Sequence, residues 1–185
     1  MRVLCTTQPL YGHFHAIMPY ALELRAQGHE VAFATARGFA PVIERLGFRV
    51  FACGVDYDAA TDILSKLPGC QSLLSQGFPP VFSQLWGFIL GLGPQMAADL
   101  LENVGAWQPD LVLRDPLEFG SFVAAESWGI PHVSVVWAIY INPGVWIPPW
   151  LAELCAGFGL PSQPIPDRYD RWLVLKSLPP DWSIM

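Results

Sequence analysis

Apolar and polar positions alternate along the chain in blocks that predict a repeated strand–helix order. Arg2–Thr7 is a short apolar strand. From about Phe14 to Gln27, Ile17, Ala21 and Leu24 fall on one stripe while Glu23, Arg25 and Gln27 fall off it, the spacing of an amphipathic helix. Gly28 predicts a left-handed stop to that helix. Glu30–Thr35 then reads as a second strand, Gly38–Leu46 as a short helix ended by Gly47, and Phe48–Cys53 as a third strand. The pattern loosens from Gly54 to about Pro94, where a short helix is expected over Ala59–Leu67 and an apolar segment over Val81–Leu92. Regularity returns with a helix from about Pro94 to Gly105 and a strand at Leu111–Arg114. Asp115-Pro116 predicts the start of a helix to about Trp128, with Asp as N-cap and Pro in the first turn. His132–Trp137 is a continuous apolar run of the kind buried parallel strands show. A helix around Trp150–Gly157, a Pro-rich loop Pro161–Asp167 and a strand near Trp172–Leu175 complete the pattern.

Short joints between alternating strands and helices predict an α/β fold, a doubly wound, Rossmann-like parallel sheet. At 185 residues one domain accounts for the chain. In such sheets ligands bind outside the carboxyl ends of the strands. Two residues there can carry chemistry: His13, after the first strand, and Asp115, after the fourth. If those strands are neighbours, the carboxylate can orient the imidazole and support it once protonated, and the ring can act directly on a substrate hydroxyl. The plainer reading makes His13 a loop histidine and Asp115 a helix cap. His29 and His132, at strand starts, read as structural.

Composition sharpens the picture. Only 14% of residues are charged and 52% are hydrophobic, against about a quarter charged in an average soluble domain. Some apolar surface is therefore expected to face a hydrophobic ligand or a second domain. The net charge of −6, with no Lys/Arg cluster, argues against nucleic acid. Cys5, Cys53, Cys70 and Cys155 form no C-x-x-C pair and have no histidine at ligand spacing, so neither a metal site nor a disulfide framework is expected. A reducing, cytoplasmic location fits them. No stretch reads as a signal peptide or a transmembrane helix. The dinucleotide fingerprint, the P-loop and the G-x-S-x-G elbow are all absent.

Gly12-His13-Phe14-His15-Ala16-Ile17-Met18-Pro19 followed by Gly28-His29-Glu30-Val31 resembles the G-H-x-N-P-x-x-P … G-H-E-V opening of GT-B glycosyltransferases, in particular the bacterial group that glycosylates macrolides, polyketides and glycopeptides. Pro109-Asp110-Leu111 through Asp115-Pro116 and Gly129-Ile130-Pro131-His132 resemble a second block of that group. The resemblance implies the N-terminal, acceptor-binding domain of an inverting transferase. Such an enzyme moves a sugar from a nucleotide-diphosphate donor to a hydroxyl of a hydrophobic natural product, without a metal or other cofactor. The family's base falls on His13 and its supporting carboxylate on Asp115.

The loop residues Gly12, Phe14 and His15 would lie under the acceptor. The aromatics Phe78, Phe82, Trp86, Trp137, Tyr140 and Trp146 would wall its pocket, with Leu85, Phe88 and Trp150 in the same segments. Their alternative use is packing beneath loops or against a second domain. His15 and Ala16 replace the family's Asn and Pro, which changes the loop beneath the acceptor. The resemblance also implies that residues 1–185 end where the interdomain linker begins. The donor-binding C-terminal domain would then lie outside the chain, and the isolated domain would not turn over. Its apolar cleft face suits a homodimer. Two other functions stay open: a non-catalytic acceptor-binding partner, and a lipid-linked or cell-wall precursor transferase. The latter group has a G-G-x-x-G-H loop where this chain has Gln8-Pro9-Leu10-Tyr11-Gly12-His13.

Overall fold

Apolar runs too short to be helices pair into a single sheet. The computed structural model describes residues 1–57, 68–136, 148–161 and 173–176. Within them lie β1 (Arg2–Thr6), β2 (Glu30–Thr35), β3 (Arg49–Ala52), β4 (Leu111–Arg114), β5 (His132–Val136) and β6 (Leu173–Lys176). All neighbouring pairs are parallel and the order is β3-β2-β1-β4-β5-β6. The chain builds outward from β1 in one direction, then returns to its other side at β4. That reversal is a topological switch point, and it opens a crevice at the carboxyl ends of β1 and β4. The Rossmann-like reading of the sequence is therefore the observed fold.

Alternation along the strands divides the core. Val3 and Cys5 point to the face covered by α1 (Tyr11–Ala26) and α2 (Ala40–Glu44), packing with Phe14, Ile17, Phe33, Ile43 and Phe48. Leu4, Ala32 and Val112 point the other way, onto Met96 and Leu100 of α5 (Gly93–Asn103) and Ala124 and Ala125 of α6 (Gly120–Trp128). A third cluster joins Phe88, Ile89, Phe122 and Val123 to Leu151 and Leu154 of α7 (Pro148–Gly157). Gly120 allows α5 and α6 to approach, since a Cβ there would lie 2.7 Å from the Ala97 backbone nitrogen. Of the two histidines expected to be structural, His132 is buried edge-on against Phe122, and Nε of the buried Arg114 donates to its Nδ1 at 3.4 Å, while His29 is half-buried.

The structure corrects three expected elements. The first helix begins at Tyr11 rather than near Phe14, because Leu10, in extended conformation, already serves as its N-cap. His13 is thus in the first helical turn and not in a loop. From Pro68 on, the loosened region is largely helical: α3 (Pro68–Ser75), α4 (Pro80–Trp86) and a π-helical turn (Gly87–Leu92) that runs straight into α5. Pro94 offers no N–H to the preceding turn, which accounts for the widened turn just before it. Asp115 does not cap the next helix, which starts only at Gly120. The Asp115 carboxylate is committed elsewhere, and Glu118 caps in its place, accepting from the backbone N–H of Gly120 (2.7 Å) and of Ser121 (3.0 Å). The expected helix over 59–67 falls outside the described residues. Among those residues, no helix is long and apolar enough to cross a membrane.

Candidate active site

The switch point brings together the two residues that the sequence singled out. β1 and β4 pair through Thr6 and Arg114, and the N–H of Asp115 extends that ladder by donating to the Thr6 carbonyl at 3.0 Å. Asp115 is completely buried and His13 nearly so. His13 Nδ1 lies 2.5 Å from Asp115 Oδ2. The same oxygen accepts the backbone N–H of Gln8 at 3.2 Å, and Oδ1 accepts that of Leu117 at 2.9 Å. Two backbone N–H groups and the imidazole Nδ1 therefore converge on one carboxylate, which fits its acceptor-only form. An ionised Asp115 places the imidazole proton on Nδ1, leaving Nε2 as the basic nitrogen. This is the geometry in which a carboxylate orients an imidazole.

A small cavity open to solvent lies at the ends of β1, β2 and β3. Thr7, Gln8, Tyr57 and Glu118 supply polar groups to its lining, and Val55, Phe88, Leu92 and Met96 supply an apolar side. A mixed lining of this kind suits an apolar ligand fixed by a few polar contacts. His13 and Asp115 are not among its lining residues; Asp115 is joined to it by the Gln8 N–H. The Tyr57 hydroxyl donates to Gln8 Oε1 at 2.7 Å. Burial, then the nearby Asp115 and Glu118, push the Tyr57 phenol up, so it stays protonated and donates. Glu118 is also pushed up, mainly by burial and further by Asp115, against the pull of its hydrogen bonds to Ser121 and Gly120. The Cys53 thiol at the cavity edge is raised to about 12, chiefly by burial.

The expected acceptor residues divide. Gly12 and His15 are exposed on the first turns of α1, with the Tyr11 ring 5.8 Å from that of His15. Phe14 is a core residue instead, 2% exposed and edge-on to Phe33 and Phe39. Burying a phenylalanine side chain stabilises by about 1.5–3 kcal/mol, so its service is to the fold. Phe78 is exposed and Phe82 half-buried, while the half-buried Trp86 lays its ring so close to Gly69 that no Cβ would fit there. None of these lines the cavity, whereas Phe88 does. Trp137, Tyr140 and Trp146 fall outside the described residues. Gln8, Tyr57 and Glu118 escaped the sequence reading. The rule that ligands sit beyond strand carboxyl ends could have flagged the first two, since both follow strands. Among the described residues, no group of three or more His, Cys, Asp or Glu could hold a metal ion.

This fold is that of the N-terminal half of GT-B glycosyltransferases. The chain superposes along its whole length on 51% of the glycosyltransferase VinC, solved in complex with dTDP (TM-score 0.76, 24% identity), and on 48% of the spinosyn forosaminyltransferase SpnP (TM-score 0.72, 22% identity). Residues 22–173 match the model of the family described as erythromycin biosynthesis protein CIII-like, N-terminal domain, and the chain belongs to that family. The matched span includes Asp115 and begins after His13. Aklavinone 7-beta-L-rhodosaminyltransferase of Streptomyces galilaeus is 30% identical over 152 residues, 74% of this chain and 34% of that protein. Erythronolide mycarosyltransferase of Saccharopolyspora erythraea is 26% identical over 153 residues, 74% of this chain and 37% of that protein. The chain thus spans about a third of the length of these curated relatives and about half of the solved neighbours.

Proposed function

We propose that this chain is the acceptor-binding half of an inverting glycosyltransferase that glycosylates a hydrophobic natural-product hydroxyl. The observation that carries this reading is the His13–Asp115 pair, joined at 2.5 Å across the switch point. His13 Nε2 takes the proton of the acceptor hydroxyl as that oxygen attacks the anomeric carbon of the donor sugar. The bond from that carbon to the nucleotide diphosphate breaks, and the diphosphate leaves with the bonding electrons, inverting the centre. Asp115 stabilises the imidazolium so formed. The donor is held by a second, donor-binding domain, and aligning donor, acceptor and base supplies roughly 7–11 kcal/mol of the barrier reduction. The cavity beside Gln8 is proposed to take part of the aglycone.

The test is sugar transfer by a polypeptide that carries this chain together with a donor-binding domain, offered macrolide and aromatic polyketide acceptors. VinC's dTDP makes thymidine diphosphate sugars the first donors to try. His13→Ala is expected to lower kcat by a factor of about 10³ or more while the chain stays folded. Near-normal transfer by that variant overturns the assignment.

A further inference from the structure

The turn between β1 and α1 holds a residue with no part in the proton transfer, Gln8, and each of its polar groups is engaged. Its N–H donates to Asp115 Oδ2 at 3.2 Å. Its carbonyl accepts the Leu10 N–H at 2.7 Å and the Thr7 hydroxyl at 3.0 Å, closing the turn that launches α1. Its side-chain NH₂ donates to the Leu117 carbonyl at 2.7 Å, and its side-chain oxygen accepts the Tyr57 hydroxyl at 2.7 Å. Gln8 is 6% exposed. A polar residue this buried, with all its groups paired, specifies one arrangement of its surroundings.

The topology explains why one arrangement matters. His13 is carried by the segment leaving β1 and Asp115 by the segment leaving β4. The ladder between those strands ends where the Asp115 N–H donates to the Thr6 carbonyl. Past that point the two segments would adjust independently unless something crosses between them. Gln8 crosses twice, by its backbone to Asp115 and by its side chain to Leu117, whose own N–H holds the other Asp115 oxygen. Tyr57, from a third segment after β3, donates to the amide oxygen and holds the side chain in place. The Leu117 carbonyl can only accept, so the NH₂ must point there, and the oxygen must then meet the phenol.

We infer that Gln8, held in place by Tyr57, is the positioning residue of the His13–Asp115 pair, setting the imidazole against the carboxylate without touching the reacting atoms. A misplacement of 1 Å in such a pair costs about a hundredfold in rate. Tyr57 and Gln8 also line the cavity, so the brace borders the space proposed for the aglycone. The inference rests on the reading of His13 as the base, but its test needs no sugar transfer.

The test is ¹⁵N NMR of labelled histidine in this 185-residue chain, comparing the unaltered chain with Gln8→Leu and Tyr57→Phe. The unaltered chain is expected to show His13 as a single Nδ1–H tautomer, its proton far downfield and slow to exchange. Both variants are expected to show mixed tautomers and exchange at least about tenfold faster, the effect of losing one hydrogen bond, with cooperative melting retained. Tyr57→Phe removes one hydroxyl and decides the matter if Gln8→Leu does not fold. Variants that melt lower yet keep the single tautomer, with exchange within about twofold of the unaltered chain, would assign these residues to stability alone and overturn the inference. Near-normal sugar transfer in the His13→Ala experiment would remove the base and leave this result standing.

Discussion

Replacing Asp115 by Asn tests the site more sharply than deleting either partner, because it changes donors and acceptors while preserving shape. The carboxylate receives three N–H groups, two on Oδ2 (His13 and Gln8) and one on Oδ1 (Leu117). An asparagine must put its NH₂ at one of those places. At the Oδ2 place it opposes the Gln8 N–H and forces the His13 proton from Nδ1 to Nε2. At the Oδ1 place it opposes the Leu117 N–H at the shorter distance, and the imidazolium has no counter-charge. Either orientation leaves one buried N–H without an acceptor, which costs about 1–3 kcal/mol of stability. Either also disables the base: a wrong tautomer or an unsupported imidazolium lowers kcat by a factor of about 10⁴. That factor corresponds to about 5 kcal/mol of transition-state stabilisation. Urea unfolding reads the first quantity and saturating-substrate transfer, with the chain folded, reads the second. The histidine ¹⁵N spectrum shows which orientation prevails. Transfer above about a tenth of the original rate, in a folded variant, would refute the assigned division of labour between His13 and Asp115.

Two further outcomes follow from the same geometry. Glu118 holds its proton in the folded chain above its ordinary value of 4.5, so the unfolded chain ionises first. Its contribution is whole below that pH and is lost as pH rises towards the folded value; Glu118→Gln abolishes this loss. The stability of the original chain minus that of the variant should therefore fall between pH 4.5 and neutrality, and a flat or rising difference in urea melts would contradict it. Gly120→Ala places a methyl 2.7 Å from the Ala97 nitrogen, which cannot rotate aside as a side chain would. The variant should lose about 1–3 kcal/mol by forcing α5 from α6, and an unchanged melting temperature would contradict that contact.

Much of the fold was legible because it depends on local patterns. Val3-Leu4-Cys5 and Val133-Ser134-Val135 are strand-like runs wherever they occur, Gly28 and Gly129 end helices through their positive φ, and right-handed crossovers leave few ways to lay such units on a sheet. From that much, the meeting of His13 and Asp115 could be anticipated, since β1 and β4 flank the switch point. The sequence reading erred where a side chain had two local uses. Asp115-Pro116 carries the signature of a helix start, but Asp115 is drawn to His13, 102 positions away, and Glu118 takes the cap.

The linear order of residues determined the strands, the face each presents and the edge at which chemistry could gather, because periodicity and turn chemistry act over a few neighbours. Only the tertiary structure decided which loop residues meet there. Gln8 bonds across 109 positions to Leu117 and 49 to Tyr57. Phe14 and Phe88 read alike as aromatics, yet the first fills the core and the second lines the cavity. Hydrogen bonds and packing between distant segments depend on how the chain is folded back on itself, and no local pattern encodes that distance.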